Sequence, residues 1–324
     1  MMLKYLKFEK VEKVLFGILM VAFLFPIWSN MYFLTGDGPC HIYNSKVLLD
    51  FVTETNLDFY SDYYELNSNT EPNWFSHVVL ASLLTIFPDF VAEKILLTAY
   101  VLLFGFLIRG VIFQINPNNV FLSLLGVPFM FHTTFQMGFF NYSFGFVFCL
   151  LSVWYWLKNR DKWNVWRVAL FTLINLLLYF THPVGFLVAG LLIGSIPLSQ
   201  FLSARLNEGQ SRFKEMMISY GRILLGFLLG IILMIEYLNR KGLNPTPSPT
   251  DTTMLFQHFK SLSSLILLTD AEEKWAAAIA IVFAVILIYT VGIKLKARKL
   301  SPFDGLFAAF LLIALIYFNQ PGTI

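Results

Sequence analysis

Nine apolar stretches follow one another along this chain, at 14–34, 95–113, 119–136, 139–157, 165–181, 183–201, 222–238, 275–293 and 303–318. A helix needs about 20 apolar residues to cross the hydrocarbon of a bilayer. Inside lipid every backbone N–H and C=O must find a partner within the protein, which leaves helices and closed barrels as the only spanning structures. Runs of this length predict helices, and so an all-α polytopic membrane protein. Composition agrees. The chain is 57% hydrophobic with 35 Phe and only 13% charged, about half the usual 25% of a soluble domain. The net charge of +3 is small, and the basic residues sit in short loops. That placement speaks to membrane topology, and no nucleic-acid partner is expected. Membrane lipid is the expected surrounding; nothing in the sequence identifies a protein partner. Cys40 and Cys149 are too few for a disulfide framework.

A tenth apolar run, "WFSHVVLASLLTIF" at 74–87, is 14 residues long and closed by Pro88-Asp89. Whether it crosses sets the sidedness of everything after it. Lys4, Lys7, Lys10 and Lys13 put the N-terminus in the cytoplasm under the positive-inside rule. If 74–87 lies in the interface, the three other basic loops also fall inside: Lys158/Arg160/Lys162/Arg167, Arg205/Arg212/Lys214/Arg222 and Lys294/Lys296/Arg298/Lys299. If it crosses, all three fall outside. The run is therefore read as an interfacial helix. The expected protein has about nine spans in the cell (inner) membrane, with Val14–Leu34 retained as a helix kinked at Pro26. Residues 1–201 form a core with a long, acidic outer loop at 35–94. Residues 202–324 add further spans and an outer loop at 239–274. The turn at 136–142 and the break at 181–183 share the outer face.

Polar residues gather on that face. Asp37 lies between Gly36 and Gly38, just ahead of Pro39, and 39–54 reads as a short helix. A carboxylate there is favoured by the helix dipole, either as an N-cap or as a general base. His41 and Asn44 follow at helical spacings of four and seven from Asp37, with Tyr43 beside them. They read as a ligand-facing stripe or as a polar helix face at headgroup level. His77 lies in the interfacial helix next to Trp74, and Asn141 in the outer turn. His182-Pro183 breaks a long apolar stretch; such breaks line cavities or lie at interfaces. His132, Asn175 and Glu236 are weaker signals. No Walker loop, GxSxG, HExxH or CxxC is present.

One span, a long outer loop opened by an aspartate, interfacial helices and then further spans resemble the GT-C superfamily of integral-membrane glycosyltransferases, near its protein mannosyltransferase and aminoarabinose transferase members. The likeness covers roughly residues 10–200. Asp37 falls at the position of the family's essential aspartate. Gln136–Tyr142 resembles its second outer turn, without an acid, and Thr181-His182-Pro183 resembles its Thr-Lys-Gly/Pro motif with His for Lys. Asp37 is followed by Gly and not by a second acid. Such proteins run on past the position of Ile324, so the resemblance also implies a fragment of a longer chain.

The resemblance implies hexosyl or pentosyl transfer from a polyprenyl-phosphate donor, with Asp37 as the base on the acceptor hydroxyl. His41, Tyr43, Asn44, His77, Asn141 and His182 are the expected substrate-binding residues. His182 and His41 would steady the leaving phosphate as cations, or a divalent metal held by Asp37 and His41 would do so. The rival reading is a transporter or flippase subunit without catalysis. That reading calls for inverted repeats and mid-membrane charges, which the sequence lacks.

The charge argument generates a topology test. In a background lacking Cys40 and Cys149, Ser68→Cys is expected to react with an impermeant thiol reagent from outside, and Asp161→Cys only after permeabilisation. Outside labelling of residue 161 would reverse the expected arrangement.

Overall fold

A computed structural model describes the backbone of residues 2–242 and 273–318. Most of the expected outer loop 239–274 lies outside the described residues, and its first residues belong to a helix. Every regular element among the described residues is helical: α1 (Met2–Ser29), α2 (Gly38–Val52), α3 (Leu57–Tyr60), α4 (Phe75–Leu84), α5 (Asp89–Ile115), a 3₁₀ segment (Pro117–Phe129), α6 (Thr133–Gln136), α7 (Phe140–Asn159), α8 (Val165–Thr181), α9 (Pro183–Glu208), α10 (Phe213–Lys241), α11 (Glu273–Ala297) and α12 (Asp304–Phe318). Among the described residues six helices are long and apolar enough to cross a membrane: α1 from Lys10, α5, α7, α9, α10 and α11 from Lys274. α8, with 17 residues, and α12, with 15, are apolar but shorter. α4, with ten residues, covers about 15 Å at 1.5 Å per residue, too little to cross.

The chain divides into two compact units, Met1–Trp154 with Phe180–Pro183, and Tyr155–Tyr179 with Val184–Ile324. The boundary expected at residue 201 falls inside α9.

In the first unit α1 and α5 pack antiparallel along their length. Glu12 meets Arg109, the Phe16 and Phe106 rings lie 5.5 Å apart, and Trp28 Nε1 donates to Thr98 Oγ1 at 2.9 Å. At the far end Lys94 Nζ donates to the Asn30 carbonyl at 2.5 Å. Gly105 makes the close approach possible: a Cβ there would stand 2.9 Å from Met130 Cε and 3.0 Å from Met20 Cε.

Residues 119–136 are not the α-helical span expected. They form a 3₁₀ segment of 13 residues, then the single turn α6. Pro128, near the segment's end, supplies no N–H to the ladder. The segment is kinked at Asn119, whose φ of −108° and ψ of 17° are not helical. It runs back along α5, with Gly126 against Ile108 and Phe135 stacked on Tyr100 at 4.5 Å. The chain thereby returns to the level of Asp37.

In the second unit the spacing Gly226-x-x-x-Gly230 on α10 takes aromatic rings. Gly226 faces Phe171 of α8 and Gly230 faces Phe186 of α9. Small residues that let helices approach closely are the usual means of association in lipid, where burial of apolar surface gives no drive. Ser199 and Ser203 of α9 donate to the Pro302 and Leu300 carbonyls at 2.7 and 3.0 Å, anchoring the start of α12.

Glu12 and Arg109 are 5% and 19% exposed at their side chains. Removing one member of a buried pair strands the other charge, at about 3–5 kcal/mol. Arg109→Leu is therefore expected to lower the unfolding midpoint in detergent sharply, and Glu12→Gln combined with Arg109→Leu to recover much of the loss. An unchanged midpoint in Arg109→Leu would show that the pair contributes nothing.

Candidate functional site

The polar residues of the first unit converge on the turn between α6 and α7. Asp37 precedes α2 with φ −98° and ψ −2°. Its N–H donates to the Met137 carbonyl at 2.8 Å, the Gly36 N–H reaches the Gln136 carbonyl at 3.3 Å, and its own carbonyl accepts from His41 N at 3.0 Å. Gly138 completes the junction. Its φ is +87°, and a Cβ on it would stand 2.6 Å from the backbone nitrogens of both Asp37 and Gly38. Only glycine fits there, by conformation and by space. The Asp37 side chain is exposed and makes no capping hydrogen bond. Asp37 stands at the N-cap position of α2 without using its side chain as a cap. The backbone fixes its position and the carboxylate stays at the surface.

One turn into α2, the His41 ring stacks on Phe140 at 5.1 Å and on His77 at 4.8 Å. Its Nδ1 lies 3.4 Å from Ser76 Oγ. Burial pushes the His41 pKa down to about 4; neighbouring His77 adds to this and Asp37 opposes it. His77 is also lowered, mainly by burial, with the His41 backbone pulling the other way. Two imidazoles in contact away from water thus stay neutral at pH 7.

Asn141 is 5% exposed and holds α4 in place. Its Oδ1 accepts from Ser76 N at 2.7 Å and its Nδ2 donates to the Asn73 carbonyl at 2.6 Å. Trp74 N donates to the Phe180 carbonyl at 2.9 Å, bringing the 180–183 break to the same junction. There His182 meets the Tyr142 ring edge-on at 4.8 Å, and its Cβ approaches so close that a Cβ on Gly145 would stand 2.9 Å from it. Burial lowers the His182 pKa to about 4. Without a ligand, burial thus favours the neutral form of both His41 and His182. His132 serves the backbone: its Nδ1 accepts from Phe135 N at 3.1 Å and caps α6. Asn175 bonds the Phe171 carbonyl of its own helix, and Glu236 pairs with Arg240.

α2 has a cavity on each side. The larger, about 640 Å³, is lined by Pro39, Ile42, Tyr43, Lys46, Leu49 and Asp50 of α2, by 32–35, and by the start of α5. The smaller, about 210 Å³, takes Asn44, Val47, Leu48 and Phe51 from the other face, with His77. Tyr43 and Asn44 thus face different chambers. At the head of α2 stands Glu93, a residue that sequence reasoning misses. It is 2% exposed, and a Cβ on Gly38 would stand 2.7 Å from its Oε1. A span starting at 95 leaves Glu93 among loop charges. Its signal is an acid one helical turn after Asp89, at the mouth of an apolar run.

Among the described residues no group of three or more His, Cys, Asp or Glu side chains stands where it would hold a metal ion, so Asp37 and His41 find no third protein ligand there. Compared with protein families, with curated proteins and with solved structures, the chain matches none.

The histidine pair makes an acid-stability prediction. Unfolded histidine titrates near 6.5, above His41's folded value of about 4. Between these values the unfolded chain binds more protons. The stability due to the neutral ring is complete above about pH 6.5 and is lost as pH falls toward 4. The unfolding midpoint in detergent should drop between pH 7 and 5, with a shallower slope in His41→Gln. A wild-type midpoint flat across that range would show that burial does not hold His41 neutral.

Proposed function

We propose that this chain is a multi-pass membrane glycosyltransferase that moves a sugar from a polyprenyl-phosphate donor to an acceptor hydroxyl, with Asp37 as general base. The observation that carries the proposal is the position of Asp37. Its backbone is pinned to the 136–138 turn, its carboxylate is exposed and uncapped, and the larger cavity opens beside it at Thr35 and Pro39. The order α1, Asp37, short helices, α5 matches the order on which the GT-C resemblance rests. The nine-span arrangement belongs to the proposal too: the 3₁₀ segment, α8 and α12 would supply three crossings beyond the six long helices. The N-terminus would lie in the cytoplasm and Asp37 on the outer face of the cell membrane.

The larger cavity suits a lipid-linked donor. Phe33, Leu34, Leu49, Leu84 and Phe87 offer apolar wall, and Lys46 is the cation that lines it beside the carboxyl groups of Asp50, Asp89 and Glu93. In this reading the acceptor hydroxyl loses its proton to Asp37 as its oxygen attacks the anomeric carbon, and the bond to the phosphate oxygen breaks. The leaving phosphate carries the negative charge. Lys46, which lines this cavity, would stabilise it; His41 and His182 do not line it. Glu93, buried behind Gly38, would hold the head of α2 in place.

Asp37→Asn tests the proposal. Loss of a general base costs about 10²–10⁴ in rate. Transfer of radiolabelled sugar from polyprenyl-phosphate donors, measured in membranes, is expected to fall by that factor with expression and insertion unchanged. Full activity in Asp37→Asn would remove the base from the mechanism.

A further inference from the structure

We infer that the smaller cavity, on the face of α2 away from the proposed donor, binds one sugar ring of the acceptor. The word acceptor rests on the function proposed above; the sugar site rests on the cavity itself. At about 210 Å³ it is below the roughly 300–1,000 Å³ of pockets for drug-sized ligands, room for about one ring.

Its lining has two characters. Val47, Leu48 and Phe51, at helical spacings that place them on one side of α2, make an apolar wall together with Leu66. Trp74 adds an aromatic ring. Against these stand Asn44, Glu65, Asn67 and Asn73, with Tyr64 and His77. A pyranose has the matching surface: C–H groups on its faces, which lie against aromatic and aliphatic side chains, and hydroxyls around its edge, which need donors and acceptors. A small anion would meet Glu65.

His77 lines the cavity beside these groups, although its Nδ1 is buried away from the cavity and has no hydrogen-bond partner. His77 also touches His41, four residues after Asp37, so an occupant here would lie next to the residues around the base. Asn44 and Glu65 are exposed, and replacing them leaves the packed junction alone.

The test uses the full chain in nanodiscs, with free hexoses, pentoses and hexosamines followed by saturation-transfer NMR and by tryptophan fluorescence. At least one sugar is expected to saturate, with Asn44→Ala and Glu65→Gln each weakening it about tenfold and Trp74→Ala abolishing it. No saturable sugar, or binding indifferent to all three substitutions, would overturn the site. The two proposals separate cleanly. If Asp37→Asn keeps full transfer while sugar binding follows the three substitutions, the base fails and the sugar site stands. If Asp37→Asn stops transfer while Asn44→Ala and Glu65→Gln leave acceptor KM and sugar binding unchanged, the sugar site fails and the base stands.

Discussion

The site in the first unit depends on one backbone junction. Met137 accepts from Asp37, Gln136 from Gly36, and Gly138 lies against both Asp37 and Gly38 with its φ at +87°. In surroundings that exclude water, broken helices leave N–H and C=O groups that must be paired within the protein. Here the ends of several helices pair with one another. Asn141 repeats the device one step along, bridging the Asn73 carbonyl and the Ser76 N–H at the start of α4. Phe180 accepts from Trp74 and brings in the break before α9. These bonds fix where Asp37, His41, His77 and His182 stand. They also explain why polar residues are dense here: each helix break exposes backbone groups that need partners.

That density has two meanings, and the sequence alone does not separate them. In the sequence Asn141 reads as a substrate-binding or a turn-closing residue, and His132 as a weaker signal. The structure uses Asn141 as a clamp and His132 as a cap, because the backbone amides they hold, Ser76 and Phe135, are distant in sequence or hidden in a single turn. Asp37 differs in leaving its side chain unused by the backbone. Its position before a Pro-led helix suits a capping role, yet the Met137 carbonyl orders the turn and the side chain makes no capping bond. Neutral His41 follows from Phe140 and His77 packing on it, contacts that join three separate segments.

The long helices are legible because their apolar runs match the thickness of a bilayer. Helix α2 is legible from Pro39 and its apolar spacing. What hydropathy does not distinguish is an α-helix from a 3₁₀ segment: "PNNVFLSLLGVPF" is apolar either way, and Pro128 signals a break without saying what replaces the ladder. Glu93 is hidden by the opposite error. A charge at the edge of an apolar run looks like the end of a span, although α5 begins four residues earlier, at Asp89.

The 3₁₀ segment bears on how the chain is assembled. Hairpin partners in a membrane can insert one after another when each is a stable helix on its own. A 3₁₀ run this long has poorer hydrogen-bond geometry than an α-helix, and this one carries non-helical dihedrals at Asn119 and a proline at 128. Its support comes from neighbours already described: Ile108 under Gly126, Met130 by Gly105, Phe135 on Tyr100. The segment is therefore held by α5 more than by its own ladder, and through the turn that follows it the backbone position of Asp37 depends on those contacts.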